Sequence, residues 1–381
     1  MKRVLPIFLV IFLIVLFSGI TNGIWGNHEE NKVENEKMII TDRMTVAEYG
    51  RLNRIPRPAL IKIFNLIQLS DTNKYIGRFS YDKSYILKKT KVEIAEFTEE
   101  HSKNPIRYTI HFILSILLMS VVFYMIRKSR INPTSRKYFY IISIIVFGIG
   151  FNSNPSPMGP LKNTMSLLGN ITEIIHPRLF AILTYLIIGI VANKFLCSWV
   201  CQLGVLQDFI FRLNRNKKDN KAIIKQFKIP FILSNSLRII FFTTTIVISF
   251  LWAINIIDSI NPFAVFDGLN IKIFGWFFAI GILIISIFIY RPWCYLFCPF
   301  GLLSWLFEKL SIYKIRVNYK TCTSCNACAK ACPSNTMSAI LEKKKIIPDC
   351  FSCGTCINEC PSDTIKFDVR KKQYNILEKR K

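Results

Sequence analysis

Twelve cysteines, every one after residue 196 and all gathered into four tight groups, constrain this chain more than any other feature. Loop-stapling cysteines are scattered, whereas these are spaced as ligand motifs. Their side of the chain is therefore expected in a reducing compartment, where thiols persist. Two of the groups repeat one pattern: Cys322, Cys325, Cys328, Cys332 and Pro333 read C-x2-C-x2-C-x3-C-P, and Cys350, Cys353, Cys356, Cys360 and Pro361 read it again. Two residues between thiolates let one short loop wrap three corners of an iron–sulfur cubane. C-x2-C pairs also build zinc sites. Two full copies, each ending in Cys-Pro, favour the cubane.

On these motifs, residues 318–368 resemble the bacterial two-cluster ferredoxins. In such proteins the fourth cysteine of each motif ligates the other cluster. The resemblance implies one 4Fe-4S cluster on Cys322, Cys325, Cys328 and Cys360, and a second on Cys350, Cys353, Cys356 and Cys332. An α+β ferredoxin-like domain is expected over 313–368, followed by a basic tail at 369–381.

The other four cysteines belong to an internal duplication. Cys197-Ser-Trp-Val-Cys201-Gln-Leu-Gly204-Val-Leu206 matches Cys294-Tyr-Leu-Phe-Cys298-Pro-Phe-Gly301-Leu-Leu303, each position displaced by 97. Both copies follow an apolar run whose preceding loop holds Asn-Pro, at Asn154-Pro155 and Asn261-Pro262. On a helix, C-x3-C puts two sulfurs one turn apart on one face. Repeats in membrane proteins commonly form a site where the copies meet. Cys197, Cys201, Cys294 and Cys298 thus read as a joint metal or cluster site, with a redox-active dithiol and inert packed thiols as the alternatives.

Apolar runs at 4–20, 110–126, 138–151, 179–192, 239–257 and 271–290, with 31 Phe in 381 residues, do not describe one soluble core. They predict an all-α membrane bundle of about six spans, some of them short for a hydrocarbon core of about 30 Å. Positive charge sets the orientation. Arg127, Lys128, Arg130, Arg136 and Lys137 follow the second run, and Arg212, Arg215, Lys217, Lys218, Lys221, Lys225 and Lys228 follow the fourth. Between the fifth and sixth runs lie only Asp258 and Asp267. The basic loops, the ferredoxin domain and both termini are then cytoplasmic, in a bacterial inner membrane. The net charge of +26 is spent on this topology, and no nucleic-acid partner is expected. Arg238 reads as the cytoplasmic entry of a helix that starts at residue 239.

The segments that follow are an N-terminal anchor or signal at 1–21, an outer polar segment at 22–108, the duplicated transmembrane domain at 109–312, and the ferredoxin domain. In the outer segment, Thr45 with Glu48 and Thr90 with Glu93 form capping boxes, with Pro56 and Pro58 as breaks between them. A small helical docking element or cap is expected there.

C-x-x-C-H, G-x-G-x-x-G and phosphate-loop motifs are absent, and His28, His101, His111 and His176 give no facing pair for a haem. Electrons would enter or leave through quinone or a protein partner. With Arg291-Pro-Trp-Cys294-Tyr-Leu-Phe-Cys298-Pro299 included, residues 110–368 resemble the NapH and NosR group of polyferredoxin membrane proteins. That resemblance implies a quinol-linked electron-transfer component, in contact with lipid, quinone and a partner redox protein. Gln202 stands where the group often has proline, and no flavin-attachment motif of the NosR branch is present. Two other readings are a metal-handling or maturation factor acting at the C-x3-C pairs, and a redox sensor.

Overall fold

The computed structural model describes residues 13–18, 21, 38–41, 43–64, 66, 72–79, 81–87, 89–90, 93–94, 105–153, 155–156, 158–159, 161, 176–252, 260–266 and 273–369. The basic tail and most of the N-terminal run lie outside them, as do His28, His101, Asn154 and both outer-loop aspartates. Ile14 of the N-terminal run packs into the main core, and Thr21, just after the run, donates from Oγ1 to Ile149 O at 2.7 Å.

The outer segment has a core of its own. Helix α1 (Val46–Leu52) is opened by the Thr45 capping box, in which Glu48 N donates to Thr45 Oγ1 at 3.2 Å and Thr45 N to a Glu48 carboxylate oxygen at 2.9 Å. Helix α2 (Arg57–Phe64) follows at once. Pro56 and Pro58 therefore launch a helix instead of breaking one, because first-turn N–H groups have no intrahelical partner to lose. The second box falls partly outside the described residues, and the Thr90 hydroxyl lies 2.9 Å from that of Tyr49.

Helix α3 (Pro105–Arg127) and helix α4 (Pro133–Ser143), the latter capped by Asn132 and continued by a π-helical turn over Ile144–Gly150, form an antiparallel pair. Arg107, near the start of α3, donates to Phe151 O past the end of that turn. Next come α5 (His176–Ala192), α6 (Phe195–Trp199) and α7 (Gln202–Leu213), then α8 (Phe231–Trp252), α9 (Ile273–Ile285), α10 (Pro292–Leu296) and α11 (Pro299–Glu308). Among the described residues two helices, Ile106–Arg127 and Phe231–Ile248, are long and apolar enough to cross a membrane, and Ile182–Ala192 and Gly275–Ile285 are shorter apolar helices.

The C-terminal domain is an antiparallel pair, β1 (Tyr313–Val317) and β2 (Ile365–Val369), with Ile315 opposite Phe367 and the short helices α12 (Ala327–Ala331), α13 (Thr336–Leu341) and α14 (Thr355–Asn358) between them. It shares one hydrophobic core with the bundle. Phe123, in the last turns of α3, packs edge-on against Tyr313 and Phe367, with ring centroids 4.8 and 5.6 Å away. At the start of α8, Asn335 Nδ2 donates to Ile229 O at 3.0 Å. The end of α3 and the start of α8 thus both abut the ferredoxin domain.

Candidate functional site

The duplication is structural as well as sequential. Cys197 lies in α6 and Cys201 caps α7, while Cys294 lies in α10 and Cys298 caps α11. The paired sulfurs do not share a continuous helical face, which corrects the one-turn expectation. Cys201 and Cys298 are extended, with ψ of 111° and 114°, so the chain turns a corner inside each motif. The glycine three residues on lets the second helix fold back over the first. A Cβ on Gly204 would lie 2.5 Å from Cys197 O, and one on Gly301 2.8 Å from Cys294 O. Gly301 N donates to Cys298 Sγ at 3.3 Å.

Cys197, Cys201, Cys294 and Cys298 are all buried and line one cavity, together with Lys194, Trp293, Phe300 and Phe351. Burial pushes the Cys197 thiol up to about 12 against the pull of Lys194, and raises Cys201, Cys294 and Cys298 as well. Such thiols ionise only when a metal replaces their protons. Among the described residues no group of three or more His, Cys, Asp or Glu is set to hold a metal ion. A single zinc would need sulfurs about 3.8 Å apart. A cubane carries its ligands on separate irons and spreads them wider.

A reciprocal clasp joins the repeats. Lys194 and Arg291 each stand three residues before the first cysteine of their own copy. Arg291 Nη1 donates to Cys197 O at 2.7 Å, and Lys194 Nζ donates to Gly301 O at 2.7 Å, so each cation serves the other copy. Asp208 anchors Arg291 at 2.7 Å and Arg212 at 2.6 Å, and accepts from the Tyr140 and Tyr290 hydroxyls, each at 2.9 Å. Burial alone would raise the Asp208 carboxyl, but Arg212 and Arg291 hold it well below the usual carboxylate range.

Beside this clasp, Cys332, Cys350, Cys353 and Cys356 line a second cavity. Phe351 belongs to the walls of both. Cys328 lies within electrostatic reach of Cys325 and Cys360, and Cys325 is exposed. Both ligand loops bend alike. Ser324 and Asn326 in one, and Ser352 and Gly354 in the other, have positive φ of 54°, 57°, 46° and 76°. Left-handed residues at these alternate positions turn successive backbone N–H groups inward, forming a nest of the kind that surrounds anionic iron–sulfur groups. None of the twelve cysteines is paired in a disulfide.

The charge balance tests whether these residues fit such groups. Among the described residues Lys194, Arg136, Arg212, Arg215, Arg238 and Arg291 are buried around the site, faced by Asp208, Asp219 and Asp349. Glu308 does not redress the excess, since burial pushes its carboxyl up to about 8. Arg136, Arg212 and Arg238 each keep a buried guanidinium nitrogen without a hydrogen-bond partner. Uncompensated buried cations are costly, and a cubane with four thiolate ligands is a net anion that offsets them. Burial would raise the Cys353 thiol, yet Arg212 and Arg136 bring it below its ordinary value. The residues fit.

Arg238 corrects the expectation drawn from sequence. Helix α8 begins at Phe231, a full two turns before residue 239, so Arg238 lies inside it and is 1% exposed. It pairs with Asp349 at 2.9 Å and donates to Cys294 O at 3.4 Å and Gly301 O at 3.3 Å. A polar Asn235-Ser236-Arg238 cluster in an apolar stretch is the signal the sequence offers, and the buried acid that explains it lies 111 positions away. Lys194, Asp208 and Asp349 carry no local signal beyond the matching places of Lys194 and Arg291.

Comparison with known proteins follows these boundaries. A 4Fe-4S dicluster domain matches residues 314–361, and a 4Fe-4S binding domain matches twice, at 176–221 and 272–318. The second pair of matches coincides with the two copies of the repeat. YccM of Escherichia coli, named for a proposed role in electron transport, is 27% identical over 190 residues, 47% of this chain and 52% of its own. Protein NirI of Paracoccus denitrificans is 24% identical over 252 residues, 62% of this chain and 36% of its own. An uncharacterized protein of Methanocaldococcus jannaschii, MJ0750, is 23% identical over 173 residues, 44% of this chain and 68% of its own. The chain spans about half the length of YccM. No solved structure matches.

Proposed function

We propose that this chain, an iron–sulfur protein similar to the NapH and NosR polyferredoxins, is a membrane-bound quinol dehydrogenase component that relays electrons between the quinone pool and a partner redox protein. One observation carries the reading: the cavity lined by the C-x3-C cysteines and the cavity lined by Cys332, Cys350, Cys353 and Cys356 share Phe351 as a wall. Cys350, Cys353, Cys356 and Cys332 hold one 4Fe-4S cluster, Cys322, Cys325, Cys328 and Cys360 another, and Cys197, Cys201, Cys294 and Cys298 a further iron–sulfur group. A bound 4Fe-4S cluster supplies reversible one-electron transfer. The chain's own residues exclude water from the inner cysteines, compensate buried negative charge with Lys194, Arg212 and Arg291, and leave Cys325 open to solvent.

The membrane arrangement belongs to the same proposal. Six spans place the basic loops after α3 and α7 on the ferredoxin side, with both termini there. The packing of the end of α3 and the start of α8 against that domain supports the orientation. Short spans are completed by neighbouring helices and interfacial aromatics.

The test is anaerobic mixing of purified protein with a quinol analogue while cluster absorbance is followed. Bleaching at a rate that depends on quinol concentration is the expected result. Binding and reduction of copper at the paired cysteines, with no quinol-dependent bleaching, would replace this reading with metal handling.

A further inference from the structure

Asp349 sits where four parts of the fold meet. It immediately precedes Cys350, and its carboxylate is paired with Lys194, which lines the C-x3-C cavity, and at 2.9 Å with Arg238 of α8. Arg238 continues to the carbonyls of Cys294 and Gly301 in the second repeat. The Asp349 carbonyl accepts from Tyr295 Oη at 3.2 Å and from Thr336 Oγ1 at 2.6 Å. The next residues are tied down in the same way. Asn193 Nδ2 donates to Cys350 O at 2.9 Å, Cys350 N donates to Glu308 Oε1 at 3.0 Å, and Ser198 Oγ donates to Phe351 O. The Phe351 ring lies 4.5 Å from the Arg291 guanidinium carbon. The first-motif loop differs. Cys325 and its neighbours from Thr323 to Asn326 are exposed.

We infer that Asp349 is a positioning residue that couples the C-x3-C quartet to the ligand loop of the second ferredoxin motif. The inference rests on the reading that Cys197, Cys201, Cys294 and Cys298 hold an iron–sulfur group. Lys194 faces both that cavity and Asp349, so an anionic group in the cavity draws the ammonium toward itself and away from Asp349. Asp349 is then less compensated, and its field at Cys350 is more negative. Buried charges act on one another through a lower dielectric than water, so the effect reaches the adjacent ligand with little screening. A more negative field disfavours adding an electron there. Loading the quartet therefore lowers the midpoint potential of the second-motif cluster and leaves that of the first-motif cluster where it was.

The test uses the purified full chain in four forms: unmodified, Cys298→Ser, Asp349→Asn, and both changes together. Iron content and EPR-monitored redox titration are measured, with the two ferredoxin signals assigned by Cys325→Ser and Cys353→Ser. Cys298→Ser is expected to lower iron and raise the second-motif midpoint while the first stays in place. Asp349→Asn is expected to raise the same midpoint by itself, and to make the effect of Cys298→Ser markedly smaller. Asp349→Glu should restore the coupling. A shift of full size in the Asp349→Asn background, or one shared equally by both clusters, would overturn the inference. If Asp349→Asn does not fold, Ser198→Ala loosens the same loop without removing a charge, and it should also shrink the effect. Unchanged iron in Cys298→Ser would contradict the reading of the quartet instead. No rise of the second-motif midpoint in Asp349→Asn would refute the coupling even with the quartet loaded.

Discussion

Asp208 gathers two guanidinium groups and two tyrosine hydroxyls at one carboxylate, deep in the protein interior. Removing one partner of such a group leaves uncompensated charge in the interior, at a cost of about 3–5 kcal/mol. Asp208→Asn should therefore lower the thermal unfolding temperature of detergent-purified protein sharply, with an effect that Asp208→Glu partly avoids. Wild-type stability in Asp208→Asn would show that the clasp is dispensable. The glycines make a second prediction at this scale. Gly301→Ala puts a methyl 2.8 Å from Cys294 O, a backbone atom that cannot swing aside. Overpacking of this kind costs about 1–3 kcal/mol. Iron bound at the quartet should fall with it, whereas Gly189→Ala, which meets nothing within 4 Å, should bind iron as the unmodified chain does.

At the scale of elements, the repeat is legible in the sequence alone, because copies 97 positions apart keep their cysteines, their glycine and their length. What the copies do to one another is not. Arg291 serving Cys197 and Lys194 serving Gly301 are contacts across that separation, and no periodicity encodes them. Helix α8 starts earlier than its sequence suggests for a related reason: an arginine in an apolar run reads as a helix entry until its partner, Asp349, is known. The ferredoxin motifs carry their own geometry in their spacing, and they allow a sharp test. Cys332→Ser should damage chiefly the cluster of Cys350, Cys353 and Cys356, although it stands in the first motif. EPR that shows loss of only the cluster of Cys322, Cys325 and Cys328 would mean the ligands do not cross over.

For the whole molecule, the helical bundle and the C-terminal domain share one hydrophobic core, and the proposed function makes them one electron-transfer body. The orientation proposed for it is checked by labelling with an impermeant thiol reagent. A cysteine at Ser156 should react in intact cells and one at Lys218 only after lysis, and the reverse pattern would invert the topology. The proposed large-scale plan is drawn from charge and apolar length, which are written locally, residue by residue. The junction at Phe351 depends on three segments meeting, so only the folded chain reveals it. That junction is also the central claim, and one measurement addresses it most directly. In the Cys197→Ser/Cys294→Ser double variant, quinol-driven reduction of the two ferredoxin clusters should be abolished while their dithionite-reduced spectrum remains intact. Quinol-driven reduction at an undiminished rate would contradict the claim and return these four cysteines to packing or metal delivery.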